Sequence, residues 1–230
     1  MTVNGDEVFR QLQRQAHESR KTDAPVATGE LVTRHALESF LDRLHRTPHG
    51  KDFSLKGGIL LAGYGIRRPT KDADSEAISA SVTAAHIEQV VMDVAAVEVE
   101  DGLDLDRSSL DVRTIREAAD YPGLRMRVHG TVGTARVVLA RDISTGDPVV
   151  PLPTLVSIPR VLGEPIEMLG YAPETLVAEK GRHDSRARHD QHPLARLRRH
   201  RGARSARHRP RGALELGAGW TAPRGVVGFG

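Results

Sequence analysis

Residues 53–74 place a glycine pair and an aspartate pair in an order that leaves few ways to fold. Phe53-Ser54-Leu55-Lys56 alternates apolar and polar side chains, the period of a half-buried strand, and Gly57-Gly58 then opens the apolar run Ile59-Leu60-Leu61-Ala62, which reads as a buried helix. Glycines at that junction allow an abrupt change of direction, because a residue without a Cβ reaches backbone conformations closed to others. After Arg68-Pro69-Thr70-Lys71 come Asp72-Ala73-Asp74. In an extended strand, side chains two apart project from one face, so this spacing sets two carboxylates side by side.

Two adjacent carboxylates repel, and the pair becomes tolerable when a divalent cation binds them. Mg²⁺ suits such a site, since it takes a few carboxylate oxygens together with substrate phosphates and water. Free amides where the helix opens at Gly57-Gly58 attract phosphate, and Thr70 adds a hydroxyl just before the pair. Each piece alone has a plain alternative: Gly-Gly is often only a turn, and Asp-x-Asp is often a solvated loop. Their combination in this order is what points to nucleotide chemistry. A Walker A loop is excluded because no Gly-Lys-Ser/Thr follows, and an EF-hand is excluded because Asp72-Ala73-Asp74-Ser75-Glu76-Ala77 lacks the turn glycine.

With these residues the chain resembles the AbiEii or MenT-type nucleotidyltransferase toxins, within the DNA polymerase β-like superfamily. Phe53 through Ala62 and Gly65-Ile66-Arg67-Arg68-Pro69-Thr70-Lys71-Asp72-Ala73-Asp74 are similar to the family's first motif block. The likeness continues through Tyr121–Val128, Ala135–Pro148 and Pro173–Lys180, and covers roughly residues 30–180. It implies that Asp72 and Asp74 hold the metal, that Gly57, Gly58 and Thr70 line the phosphate pocket, and that Lys180 is the catalytic lysine on a triphosphate. A compact ammonium suits that task. Asp142 matches the place of a third carboxylate, as base or metal ligand; its alternative is a strand-end aspartate facing water. The resemblance further implies Mg²⁺ in a two-metal site, a nucleoside triphosphate substrate, the 3′ end of tRNA as acceptor and a cognate antitoxin partner.

Charge divides the chain. Through Lys180 there are 21 Lys and Arg against 27 Asp and Glu, whereas residues 181–230 carry 12 against 3. Residues 181–212 contain eleven arginines, five histidines and no lysine, with no periodicity able to build a core. One reading is a nucleic-acid arm, since dense arginine neutralises phosphates. The other is a tail out of frame. The resemblance implies an Arg-Asp-x-x-Asp-Ile helix shortly beyond the lysine, and this chain lacks it. Taking the second and third bases of each codon with the first of the next, residues 181–200 can encode V-G-M-T-L-A-R-G-T-T-S-T-R-W-R-D-Y-V-D-I, which contains that motif. The free third base makes the test permissive, but the shift begins where the resemblance stops. Asp184 and Asp190 do not occupy the pattern.

The remaining readings concern organisation. Residues 1–27 form an N-terminal helix (Glu7–Glu18) and linker, residues 28–180 the nucleotidyltransferase core, and residues 181–230 the tail. Gly29–His45 predicts a helix with an apolar stripe, Thr83–Val97 another, and Leu124–Val132 with Ala135–Ile143 two neighbouring strands around Gly133. This order fits an α+β palm, a mixed sheet flanked by helices. The chain has no cysteine, so disulfides and thiolate metal sites are excluded. Polar, charged residues 1–27 and the lack of a long apolar run predict a soluble, cytoplasmic protein without a membrane segment. Asp101, Asp104 and Asp106 read as solvated residues of a connecting loop, and His86 and His129 as solitary. The resulting expectation is a Mg²⁺-dependent nucleotidyltransferase toxin. The alternative is an inactive remnant, or a nucleic-acid binder acting through the tail.

Overall fold

The computed structural model describes residues 4–66, 72–78, 82–115, 123–146, 149–176 and 178. Its elements are α1 (Gly5–Ser19), α2 (Thr28–Arg46), a 3-10 turn (Pro48–Asp52), β1 (Phe53–Lys56), α3 (Gly57–Gly63), β2 (Asp72–Ala77) and α4 (Ala84–Ala96). There follow β3 (Leu103–Ile115), β4 (Gly123–Val132), β5 (Ala135–Thr145), β6 (Thr154–Ile158) and β7 (Ile166–Gly170). All strands join one mixed sheet in the order β3-β4-β5-β2-β1-β7-β6. The expected α+β architecture, a mixed sheet with flanking helices, is the observed one.

Local chemistry sets the element ends. Asn4 caps α1 by accepting a hydrogen bond from the Asp6 amide, and Val8, Leu12 and Ala16, one turn apart, carry that helix into the core. Thr83 caps α4 by accepting from the His86 amide. Between α2 and the turn, Thr47 accepts from the His49 amide and Pro48 stops the longer helix.

The sheet is two-sided in chemistry. Leu55, Ala73, Ile143, Met126, Met168 and Val156 alternate onto a buried face. Helices cover it: α1 packs on β4, α2 on β5 and β7, α3 on β2 and β6, and α4 on β3. Leu60 of α3 fills the space left by the missing side chain of Gly170. The opposite face is polar, exposed along β4 at Arg125, Arg127 and His129 and buried at Ser54, Glu76 and Ser144.

Two expectations are corrected. The stretch read as a loop around Asp104 and Asp106 is the edge strand β3, and both aspartates are exposed on it. Charged side chains along an edge discourage pairing with another chain, and their low strand propensity hid this strand from a pattern reading. Asp101 is not solvated. It is buried and held by Arg43 through hydrogen bonds of 2.9 and 2.6 Å. Strands β6 and β7 had no counterpart in the sequence reading. No helix among the described residues is long and apolar enough to cross a membrane.

Candidate active site

Strand pairing assembles a row of charge across the polar face. Lys56 of β1 lies opposite Asp74 of β2, Asp74 is in register with Asp142 of β5, and Asp142 faces Arg125 of β4. Two carboxylates on adjacent strands, about 4.8 Å apart across the ladder, are thus flanked by a cation on each side. The next row in the same alternation contains Ser54, Glu76 and Ser144. Asp72 pairs with Ala140 at the start of β2, two positions before Asp74 and so on the same face of the strand. The side chain of Asp72 lies outside the described residues, as do Thr70 and Lys180 entirely.

Gly57 completes the row from above. It opens α3 directly after Lys56 with φ +70°, and a Cβ built there would overlap Oδ2 of Asp74. The glycine is required twice, for its backbone conformation and for this close approach. Gly58 follows inside α3. Among the expected site residues, the structure brings Gly57, Asp74 and Asp142 together, with the backbone of Asp72 alongside.

Five supporting residues, Lys56, Glu76, Ser144, Tyr171 and Arg125, escaped the sequence reading. The Lys56 ammonium donates to Glu76 Oε2 at 3.0 Å and to Ser144 Oγ at 2.9 Å, and lies 5.7 Å from the Tyr171 ring centroid. Glu76 is fully buried and also accepts from the Tyr171 hydroxyl at 3.3 Å. A buried carboxylate needs such a counter-ion and donors. Arg125 grips Asp142 through both oxygens, at 2.7 and 2.6 Å. A carboxylate offers about four acceptor positions, so this fork leaves about two for another partner. A sequence signal existed for Glu76, which extends the 72, 74 alternation by one step; none marked Arg125 among neighbouring arginines.

Beneath the row, on the buried face, Arg141 donates to Ser75 Oγ at 2.9 Å and stacks over the Phe53 ring at 4.5 Å. Burial pushes its guanidinium down to about 9. It remains a cation at neutral pH, adjacent in sequence to Asp142.

A second polar group gathers at the far end of β1. His86, read from sequence as solitary, lies 3.3 Å from Asp52, and its ring meets that of His49 edge-on with centroids 5.1 Å apart. The sequence reading missed this because His49 and Asp52 sit in the 3-10 turn and His86 on α4, joined only by packing.

A sequence model of the family described as "Nucleotidyl transferase AbiEii toxin, Type IV TA system" matches residues 39–207. No curated protein matches the chain. Among solved structures, JHP933 from Helicobacter pylori is 16% identical with a TM-score of 0.40, covering 72% of this chain and 56% of its own. A second H. pylori structure, described provisionally as that of a nucleotidyltransferase, is 18% identical with a TM-score of 0.41, covering 72% and 57%. The chain therefore spans little more than half the length of either structure.

Proposed function

The chain belongs to the nucleotidyl transferase AbiEii toxin family of type IV toxin–antitoxin systems, and from that premise we propose that it transfers a nucleoside monophosphate from a triphosphate to an acceptor hydroxyl, releasing pyrophosphate. The observation that carries this reading is the register of Asp74 beside Asp142 with Gly57 pressed against the Asp74 carboxylate.

The site fits a hard divalent cation. Its donors are carboxylate oxygens, and the missing Cβ at Gly57 keeps that residue from crowding Asp74 Oδ2. Asp72 and Asp74 would hold Mg²⁺, with Asp142 completing the set or taking the proton of the attacking hydroxyl. Bound there, the metal supplies charge neutralisation on the phosphates. The protein's own part is positional. The Lys56–Glu76–Ser144 hydrogen bonds hold β1, β2 and β5 together beside the carboxylates, and Arg125 fixes the orientation of Asp142. In this reading Thr70 and the Gly57-Gly58 backbone receive the triphosphate, and Lys180 neutralises charge developing on it.

Family membership favours tRNA as acceptor, a cognate antitoxin as partner and the cytoplasm as the place of action. The absent Arg-Asp-x-x-Asp-Ile pattern, recoverable in another frame from residues 181–200, favours a tail that has replaced the family's C-terminal helical region, although the family match itself runs on to residue 207. The arginine density of the tail favours a second reading, a nucleic-acid binder without catalysis.

One experiment separates these. Label transfer from each of the four nucleoside triphosphates to total tRNA is measured with Mg²⁺, for this chain and for one with the alternative frame restored after Lys180. Activity confined to the restored chain, abolished by Asp74→Ala, supports the transferase and marks the tail as a lesion. Activity in both makes the tail dispensable. Silence in both, with tRNA binding lost on deleting residues 181–230, supports the binder and overturns the enzyme.

A further inference from the structure

The group formed by His49, Asp52 and His86 lies at the Phe53 end of β1, away from the Lys56 end where the carboxylate row stands. One ligand atom from each of the three residues lies within 4.8 Å of the others. Asp52 Oδ2 is 3.5 Å from His49 Nδ1 and 3.3 Å from His86 Nε2. Ligands about 2.0–2.1 Å from a tetrahedral metal stand about 3.3–3.4 Å from one another, so the His86 separation is already that of a coordination shell and the His49 separation is about 0.1 Å longer.

The hydrogen bonding around the group has the same sense. His86 Nε2 is buried and makes no hydrogen bond. The other nitrogen of His49, Nε2, bonds Asp93 Oδ2 at 2.8 Å, and Gln89 holds the second oxygen of Asp93 at 2.9 Å. A carboxylate on the far nitrogen fixes the ring and its tautomer, leaving Nδ1 of His49 as the lone pair facing Asp52 and His86.

We propose that His49 Nδ1, Asp52 Oδ2 and His86 Nε2 form a Zn²⁺ site that fastens the 3-10 turn to α4, with a fourth position open to water. Two imidazoles and one carboxylate suit a borderline metal such as Zn²⁺ and not Mg²⁺, which takes oxygen donors. The site would stiffen the entry to β1. Asp52 immediately precedes that strand, its backbone oxygen accepts from the Ile78 amide at 2.9 Å, and the His86 ring lies 6.4 Å from that of Phe53. Zinc binding here is independent of the transferase reading.

The test is calorimetric titration of the chelator-treated full chain with Zn²⁺ alone, in excess Mg²⁺. The expected result is one equivalent bound, lost in His49→Ala and His86→Ala, weakened about 10- to 100-fold in Asp93→Asn, and retained in Asp74→Asn. Absence of binding overturns the proposal. So does full retention in both histidine variants, as binding by the tail histidines would give, or loss in Asp74→Asn alone. Should the histidine variants fail to fold by circular dichroism, Co²⁺ in the unsubstituted chain decides: intense visible absorption of a four- or five-coordinate site supports the proposal, and the pale spectrum of an octahedral ion overturns it.

Discussion

Gly57 and Asp74 are packed so closely that no side chain fits between them: a Cβ on the glycine would overlap the carboxylate oxygen Oδ2. The contact joins the first residue of α3 to the middle of β2 and ties the glycine pair to the aspartate pair in space as well as in sequence. Gly57→Ala should therefore combine about 1–2 kcal/mol of backbone strain at φ +70° with displacement of Asp74. We expect at least about a tenfold loss of nucleotide transfer, because misplacing a group by about 1 Å costs on the order of 100-fold. Gly65→Ala is the control: φ is +78°, yet no described atom lies within 4 Å of the added Cβ. Equal loss in both variants would sink the Asp74 explanation.

Asp142 is gripped by Arg125 and stands in register beside Asp74. Freeing it should raise its availability to a metal, so Arg125→Gln is expected to lower the Mg²⁺ concentration giving half-maximal transfer. Asp142→Asn should raise that concentration or abolish transfer. A Mg²⁺ titration of both variants checks this, and unchanged curves would remove Asp142 from the site.

The buried Arg43–Asp101 pair predicts a large stability effect away from the site. Arg43 also donates to the Leu103 carbonyl at 2.6 Å, which pins the end of β3 to α2. Arg43→Met would strand a buried carboxylate and should cost about 3–5 kcal/mol. Arg46→Met removes a cation that is 54% exposed beside Asp42, and should cost no more than about 1 kcal/mol. Urea midpoints compared at constant slope decide it; similar costs would contradict the burial argument.

His35 predicts a pH dependence. Burial holds its imidazole below the ordinary 6.5, outweighing the upward pull of the hydrogen bond to the Asp101 carbonyl and of the Asp101 charge. As pH falls through 6.5, the unfolded chain takes up a proton that the folded chain refuses. Stability is therefore fully present above that pH and lost below it, by at most about 1.4 kcal/mol per unit until the folded value is passed. Unfolding at about pH 7.5 and about pH 5.5 should show a shallower loss for His35→Gln; an equal loss would assign the dependence to another group.

Local pattern alone determined a good part of this protein. The strand–glycine–helix junction at residues 53–63, the caps of α4, the β4–β5 hairpin around Gly133 and the two-apart spacing of Asp72 and Asp74 all follow from periodicity and turn chemistry, which act over a few residues. The pairing of Asp74 with Asp142, the burial of Glu76 under Lys56, the Arg43–Asp101 link and the meeting of His49, Asp52 and His86 are different in kind. They join residues far apart in the chain, and what selects them is sheet register and helix packing. Register is set by which face of every strand can be buried, a condition met only by the whole fold. The sequence thus determined which residues carry charge on one face of β2, and the tertiary structure alone decided which partners stand opposite them.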